Sequence, residues 1–189
     1  MEYLFGLAGQ EADVLDFANY VFSYSHRPHD FSTLWPKVYA REGFAPLHAL
    51  AMEEGRIRGL AALLPQTLRI SSEISLSCGF VGTVGVHPYA RGQGIMQHLM
   101  AMLEEKGNQQ GMDMLLLGGR RHRYNYFGYE RGGSEIVLTF NKDCLHHAMK
   151  DVDAEGIAFS LLKDASSDQV DKAYVQYKKL CMVADRKRE

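Results

Sequence analysis

The sequence predicts an α/β (α+β) fold: a mixed, mostly antiparallel sheet flanked by helices. Three observations predict it. Two β-rich runs, residues 47–52 and 57–70, flank a tight Glu53-Glu54-Gly55 turn. A strongly periodic helix spans 92–106, with Ile95, Leu99, Met102 and Leu103 on one stripe. A short, nearly continuous apolar run at 112–117 suits a central buried strand. Strands and helices do not alternate regularly, which excludes a doubly wound parallel sheet.

The elements follow in order. Residues 1–7 are apolar and short enough for a first strand. Residues 11–24 carry Val14, Leu15, Ala18, Val21 and Phe22 at helical spacing, and His26-Arg27-Pro28-His29-Asp30 ends that helix. Asp30 can cap a second helix from Phe31, which Pro36 bends or terminates. Pro65 marks a bulge or an edge in the strand that contains it. Residues 75–86 form another extended run, and Gly107 stands where a left-handed helix cap belongs. Residues 120–126 read as a polar-aromatic loop or short helix, and 136–140 as a strand. The character changes near Lys150. Residues 151–156 read as a linker, 157–162 as a strand, and Ser166 or Ser167 as the cap of a helix that runs into a charged end. This organisation implies one domain over 1–150, with 151–189 forming a linker and the start of a second, truncated domain.

Composition narrows the function classes. Hydrophobic residues are 46% and charged residues 23% of 189, ordinary for a soluble globular chain. A formal net charge of -2 gives no general attraction to nucleic acid or anionic membrane. No apolar run approaches a membrane span, and residues 1–5 lack the basic start of a secretory signal, so a cytoplasmic protein is expected. Cys78, Cys144 and Cys181 are odd in number and widely spaced, as reduced thiols would be. His87, His98 and His122 have no Cys or carboxylate at ligand spacing, and the adjacent His146 and His147 point different ways on a helix, so no metal site is expected.

The chemistry-bearing stretch runs from Val84 to Ile95. Gly92 and Gly94 flank Gln93, so the backbone can turn sharply and approach a ligand. The loop opens directly into a helix, whose first amides and dipole make an anion site, and Arg91 adds a permanent positive charge. No Gly-Lys-Ser/Thr follows, which excludes a Walker loop. The third glycine of the dinucleotide fingerprint is missing too. From these residues alone, an ordinary strand-helix turn remains an alternative to a phosphate site.

The pattern Val-x-Val-x-Pro-x-x-Arg-Gly-x-Gly-Ile, followed by an amphipathic helix, resembles motif A of the GNAT N-acetyltransferase superfamily. Tyr124-Asn125-Tyr126-Phe127-Gly128-Tyr129 resembles the Tyr-x-x-Phe-Gly-Tyr element that ends the CoA site in that family. The resemblance covers roughly residues 1–150 and is closest to the enhanced-intracellular-survival-like branch, through Leu117-Gly118-Gly119-Arg120 and the Tyr-x-x-Phe-Gly-Tyr ending. Met96 stands where most family loops have glycine or alanine, a departure that this branch accommodates.

The resemblance implies transfer of an acetyl group from acetyl-CoA, the cosubstrate, directly to a primary amine of a small molecule or peptide. Val84, Gly85 and Val86 would offer backbone groups to the pantetheine arm, with Gly82 and Gly85 allowing a bulge and close approach. Arg91, Gly92, Gln93, Gly94, Ile95, Met96 and Gln97 would hold the diphosphate, and Gly119 and Arg120 would flank the cofactor. Tyr124 would protonate the leaving thiolate; Tyr126 is the rival donor, and an aromatic wedge is the alternative role for Tyr124. Residues of the first helices and the loop around Trp35 would line the acceptor pocket. The general base is not evident: residues 78–84 contain no carboxylate, and Glu73 lies upstream. The run Arg120-Arg121-His122-Arg123 reads either as a contact for the 3'-phosphate of CoA or as a solvated surface. Two other functions compete: a non-catalytic acetyl-CoA-binding or regulatory domain on the same fold, and a nucleotide-phosphate-binding domain of another fold. A homo-oligomer is compatible with the sequence.

Overall fold

Alternating and continuous apolar runs in the first 120 residues build five strands of one sheet, and helices cover both of its faces. The computed structural model describes residues 1–25, 27–132, 141–148, 150–151, 161–180 and 183–185. Strand β1 (Glu2–Phe5) leads into helix α1 (Glu11–Ser25), and the short helices α2 (Phe31–Leu34) and α3 (Pro36–Tyr39) follow. Strands β2 (His48–Glu53), β3 (Arg56–Arg69) and β4 (Ser75–Val86) come next, then helix α4 (Ile95–Gln109) and strand β5 (Met114–Leu117). Helices α5 (Arg121–Tyr124), α6 (Lys142–Ala148) and α7 (Ser167–Lys179) precede a two-residue strand, β6 (Val183–Ala184).

By contacts the chain forms two compact units. The first holds Met1–Arg120 with Cys181–Arg186, and the second holds Arg121–Leu180 with Lys187–Glu189. The first contains the whole six-stranded sheet, in the order β1-β2-β3-β4-β5, with β6 against the far end of β3. All described pairings are antiparallel except β4 with β5, which is the mixed sheet that the sequence predicts.

Local chemistry explains the turns. Glu54 and Gly55 both have positive φ, 51° and 72°, as a two-residue hairpin between Glu53 and Arg56 requires. Asp30 caps α2 by accepting from the amides of Ser32 and Thr33. Pro36 cannot continue α2, so Trp35 ends that helix and the proline opens α3. Pro65 lies in the part of β3 that extends past β2: pairing with β2 stops at Ala62, and β6 joins at Leu68. Thr67 accepts from the Asp185 amide at 2.7 Å on the side away from β4. By alternation Pro65, two residues earlier, directs its donor-less nitrogen to that same side, a local edge.

The two sheet faces differ. Val14, Phe17, Ala18 and Val21 on α1 pack with Phe31, Tyr39, Phe44 and Leu60 into one buried cluster. On the other face α4 buries Ile95, Leu99, Met100 and Leu103. Close approach there depends on Gly59: a Cβ would lie 2.6 Å from Ile95 Cγ2 and 3.2 Å from Leu99 Cδ1.

Several local expectations change. Helix α4 starts at Ile95 and continues to Gln109, and Gly107 lies inside it, buried, where a Cβ would meet Leu115 Cδ2 at 3.0 Å. That glycine serves packing against β5; the positive φ after the helix belongs to Gly111. Strand β5 is half-buried and, among the described residues, pairs with β4 alone. The strand expected at 136–140 lies outside the described residues, as do most of the 151–156 linker and residues 157–160; Leu162–Asp164 is a short 3-10 turn.

In the second unit, Ser166 forms a full capping box with Gln169 at the start of α7. The Arg121 guanidinium grips the Glu130 carboxylate at 3.0 Å in an exposed ion pair. Among the described residues no helix is long and apolar enough to cross a membrane. No group of three or more His, Cys, Asp or Glu side chains there is placed to hold a metal ion.

The Gly59 contact makes a testable statement about packing. Gly59→Val should push α4 off β3 and lower stability by about 1–3 kcal/mol, the usual cost of overpacking, read as a lower urea midpoint with an unchanged slope.

Candidate functional site

Strand β4 carries the feature that shapes this region. It pairs with β3 along its length, but the register slips between Leu60↔Gly85 and Ala62↔Gly82, so one extra residue sits on β4. Thr83 absorbs it at φ 48°. A β-branched residue in the left-handed region costs on the order of 1–3 kcal/mol. The bulge is therefore carried by Thr83 rather than by the glycines around it. A Cβ at Gly85 would meet Val21 Cγ1 at 2.8 Å, so that glycine lets α1 approach. Gly82 lies under the rings of Phe80 and Trp35, which stand 6.0 Å apart.

The bulge decides where the following backbone points. The His87 amide donates to Arg58 O at 2.8 Å, so position 87 faces β3. By alternation Gly85 also faces β3, and Val84 and Val86 direct their N–H and C=O groups to the opposite side. On that side β5 pairs with β4 only from Cys78↔Met114 to Val81↔Leu117. Past Val81, no described strand pairs with that edge of β4. The Val86 carbonyl accepts instead from Arg91 Nε at 3.4 Å.

Three elements join β4 to α4. Pro88–Ala90 makes a 3-10 turn that His87 caps by accepting from the Tyr89 amide at 3.3 Å. Arg91 is extended. Gly92 and Gly94 then take φ 80° and 75°, with Gln93 between them. Little or nothing would crowd a Cβ at either glycine; backbone conformation is what demands them. Gly94 is the N-cap of α4, and no side chain caps the helix. The first helical bond runs from the His98 amide to Gly94 O at 3.2 Å. The amides of Ile95, Met96 and Gln97 thus stand ahead of the helical ladder at its positive end. Arg91, Gly92, Gln93 and Gln97 are exposed, Gly94 and Met96 half-buried, and Ile95 is anchored in the core. This loop suits a polyanion. Gly119 and Arg120 are exposed just after β5.

Beneath the bulge lies a buried polar chain. His48 is fully buried in β2, and burial lowers its pKa to about 4, so the imidazole is neutral. Its Nδ1 stands 2.9 Å from the Phe44 carbonyl, which can only accept, so Nδ1 holds the proton and donates. Nε2 is then an acceptor for the Tyr39 hydroxyl at 3.0 Å. With its one proton committed there, Tyr39 accepts from the Thr83 hydroxyl at 2.5 Å. Burial also raises the Tyr39 phenol to about 12. His48 and Thr83 are the polar members of the buried set among the described residues.

Tyr124 belongs to the second unit. It is half-buried at the end of α5, edge-on to Tyr129 with ring centroids 6.3 Å apart. Burial raises its pKa, against the lowering effect of Arg123. Tyr126 is 79% exposed. Arg121, part of the basic run, is occupied by Glu130. Glu73 sits in the turn before β4; the ten residues from there to Thr83 span roughly 30 Å of extended chain, which puts its carboxylate at the other end of the hairpin. Cys78 is buried and its thiol pKa is pushed up by burial, so it is no nucleophile. A groove of about 410 Å³ opens on the α1 face, lined by Asp13, Asp16, Tyr20, Arg56 and His87 among others; residues 82–86 and 91–97 take no part in it.

Residues 8–132 match the family described as an acetyltransferase (GNAT) domain. The chain belongs to the GNAT acetyltransferase family. Solved structures share its fold at low identity. A GCN5-related N-acetyltransferase from Ralstonia eutropha JMP134 aligns with a TM-score of 0.58 at 14% identity, over 73% of this chain and 97% of that one. A GNAT family acetyltransferase from Brucella melitensis, in complex with acetyl-CoA, gives 0.56 at 18% identity, over 69% and 82%. Eis1 from Mycobacterium abscessus gives 0.54 at 17% identity over 68% of this chain, which spans 32% of Eis1. A comparison with curated proteins gives no match.

The neutral His48 of this GNAT domain ties stability to pH. Its folded pKa of about 4 lies below the ordinary 6.5, so the unfolded chain takes up the proton first as pH falls. Stability should drop between about pH 6.5 and about pH 4, by up to about 3 kcal/mol, and this contribution should be flat above that window. Urea unfolding at about pH 7 and about pH 4.5 checks it: His48→Gln should be less stable near neutrality yet lose less on acidification.

Proposed function

We propose that this GNAT domain is an acetyl-CoA-dependent N-acetyltransferase that transfers the acetyl group directly to a primary amine. The observation that carries this reading is the open edge of β4: the main-chain groups of Val84 and Val86 point away from β3, beside a loop that ends in uncapped helix amides. An amide-bearing arm such as pantetheine could add to that edge as a short strand. A diphosphate could accept from the amides of residues 92–97, with Arg91 adding charge. Gly119 and Arg120 would flank the cofactor from the end of β5.

In this reading the neutral amine attacks the thioester carbonyl carbon. The tetrahedral intermediate collapses as the C–S bond breaks, and the departing sulfur takes its proton from the Tyr124 hydroxyl. The raised pKa of Tyr124 keeps that proton in place through neutral and mildly alkaline pH. The amine's surplus proton leaves to solvent or to a base. The Trp35–Phe80 ring pair over Gly82 suits the apolar wall of an acceptor pocket. In this reading the chain belongs with the enhanced-intracellular-survival-like branch, on Leu117-Gly118-Gly119-Arg120 and the Tyr-x-x-Phe-Gly-Tyr ending. A small-molecule or peptide amine is the acceptor, and the cytoplasm the expected compartment.

One observation favours a second reading, a non-catalytic acetyl-CoA-binding domain: residues 74–86, which include all of β4, contain no carboxylate to take the amine proton. Tyr124→Phe separates the two. In an enzyme it should lower kcat about a hundredfold and leave the Kd for acetyl-CoA nearly unchanged, measured with an amine panel and by calorimetry. No turnover in the parent protein with any amine, alongside tight acetyl-CoA binding, would favour the second reading. Gly94→Val should weaken acetyl-CoA binding about tenfold, because valine disfavours φ 75° by about 1–2 kcal/mol. Equal affinity for ATP or NAD would refute a CoA site of either kind.

A further inference from the structure

The buried chain from the Phe44 carbonyl through His48 and Tyr39 to Thr83 takes no part in binding or transfer as described above. We propose that it is a positioning device for the cosubstrate. It holds Thr83 in the left-handed conformation and so fixes the direction in which Val84 and Val86 present their main-chain groups. This rests on the reading of the β4 edge as the pantetheine site.

The geometry gives the chain this role in three steps. First, Thr83 is where β4 changes phase: Gly82 and Gly85 both face the α1–α3 side, although they are three residues apart. Relaxing Thr83 to extended backbone would turn Gly85 to the open edge and Val84 and Val86 toward β3. Second, the hydrogen-bond directions are fixed from the far end. The Phe44 carbonyl commits Nδ1 of His48, Nε2 commits the Tyr39 proton, and the Tyr39 oxygen is then an acceptor waiting for the Thr83 hydroxyl. Extended backbone at Thr83 would withdraw that donor and leave the buried phenol oxygen without it. Third, the chain is not a proton relay. It ends on a backbone carbonyl, and burial disfavours a charged His48, so a proton passed inward has no exit.

Threonine is thus at φ 48° because of what its hydroxyl binds, whereas glycine would accept that φ without help. The experiment uses this difference. Acetyl-CoA binding to the full chain is measured by calorimetry for the parent, Thr83→Val, Thr83→Ser, Thr83→Gly, Tyr39→Phe and the Thr83→Gly/Tyr39→Phe pair. Thr83→Val and Tyr39→Phe should each weaken binding about tenfold, and Thr83→Ser should restore it to within about twofold of the parent. Thr83→Gly should bind nearly as the parent does, and Tyr39→Phe should then cost nothing further.

Parent-like affinity in Thr83→Val and Tyr39→Phe would overturn the proposal, as would an undiminished Tyr39→Phe effect in the Thr83→Gly background. If Tyr39→Phe does not unfold cooperatively, the comparison of Thr83→Val with Thr83→Ser decides alone. A parent protein that binds no acetyl-CoA would instead remove the reading beneath the proposal, and so distinguishes that failure from this one.

Discussion

Strand β4 cannot satisfy both neighbours along its whole length, and the rest of the first unit is arranged around that conflict. Twelve residues of β4 follow β3, but only Cys78 to Val81 also have β5 beside them. A strand that loses a partner in mid-sheet leaves amide and carbonyl groups without a ladder. Twist alone would leave the same edge open. What the bulge adds is a choice of which residues face it. With one residue inserted at Thr83, Val84 and Val86 face outward and Gly85 turns its small surface to α1.

The two helical layers then serve different purposes. The α1–α3 side is a single apolar cluster around Val14, Phe17, Val21 and Leu60, with the hydrogen-bonded chain of His48, Tyr39 and Thr83 beneath the bulge. Each polar group in that chain has a partner of the right sense, so its burial need not destabilise. The α4 side is simpler. Ile95 and Leu99, fully shielded against Gly59, fix the start of the helix to β3. The glycine loop before it can therefore be exposed and still be held at both ends: by Val86 and Arg91 on one side, and by a buried isoleucine on the other.

Features encoded by adjacent residues were legible in the sequence. The Gly92-Gln93-Gly94 turn, the Ile95, Leu99 and Leu103 stripe of α4 (with Met100 buried beside it and Met102 half-buried), the Asp30 cap and the Glu54-Gly55 hairpin all follow from local spacing and conformational preference. Where a residue's role depends on a distant partner, spacing misleads. Gly107 has the composition of a helix stop, but its actual constraint is Leu115 on the next strand. Gly82 and Gly85 look like the hinge of a bulge that Thr83 carries. Thr83 finds Tyr39 across 44 positions, and His48 looks like one polar residue in an apolar strand until that contact is known. Nothing short of three dimensions joins them. Tyr124 could be picked out by its setting in Tyr-x-x-Phe-Gly-Tyr, while its half-buried environment and raised pKa depend on the fold around it.

Pro65 bears on how the protein behaves at high concentration. The β3–β4 hairpin runs past the end of β2, and between Ala62 and Leu68 no described strand pairs with its outer side. Such an edge is a template for another chain, because a passing strand can zip onto it regardless of its side chains. Proline at the middle of that gap deletes a donor where an incoming carbonyl would dock and places a ring in its way. The proline thus makes this stretch of the hairpin a poorer template for an incoming strand.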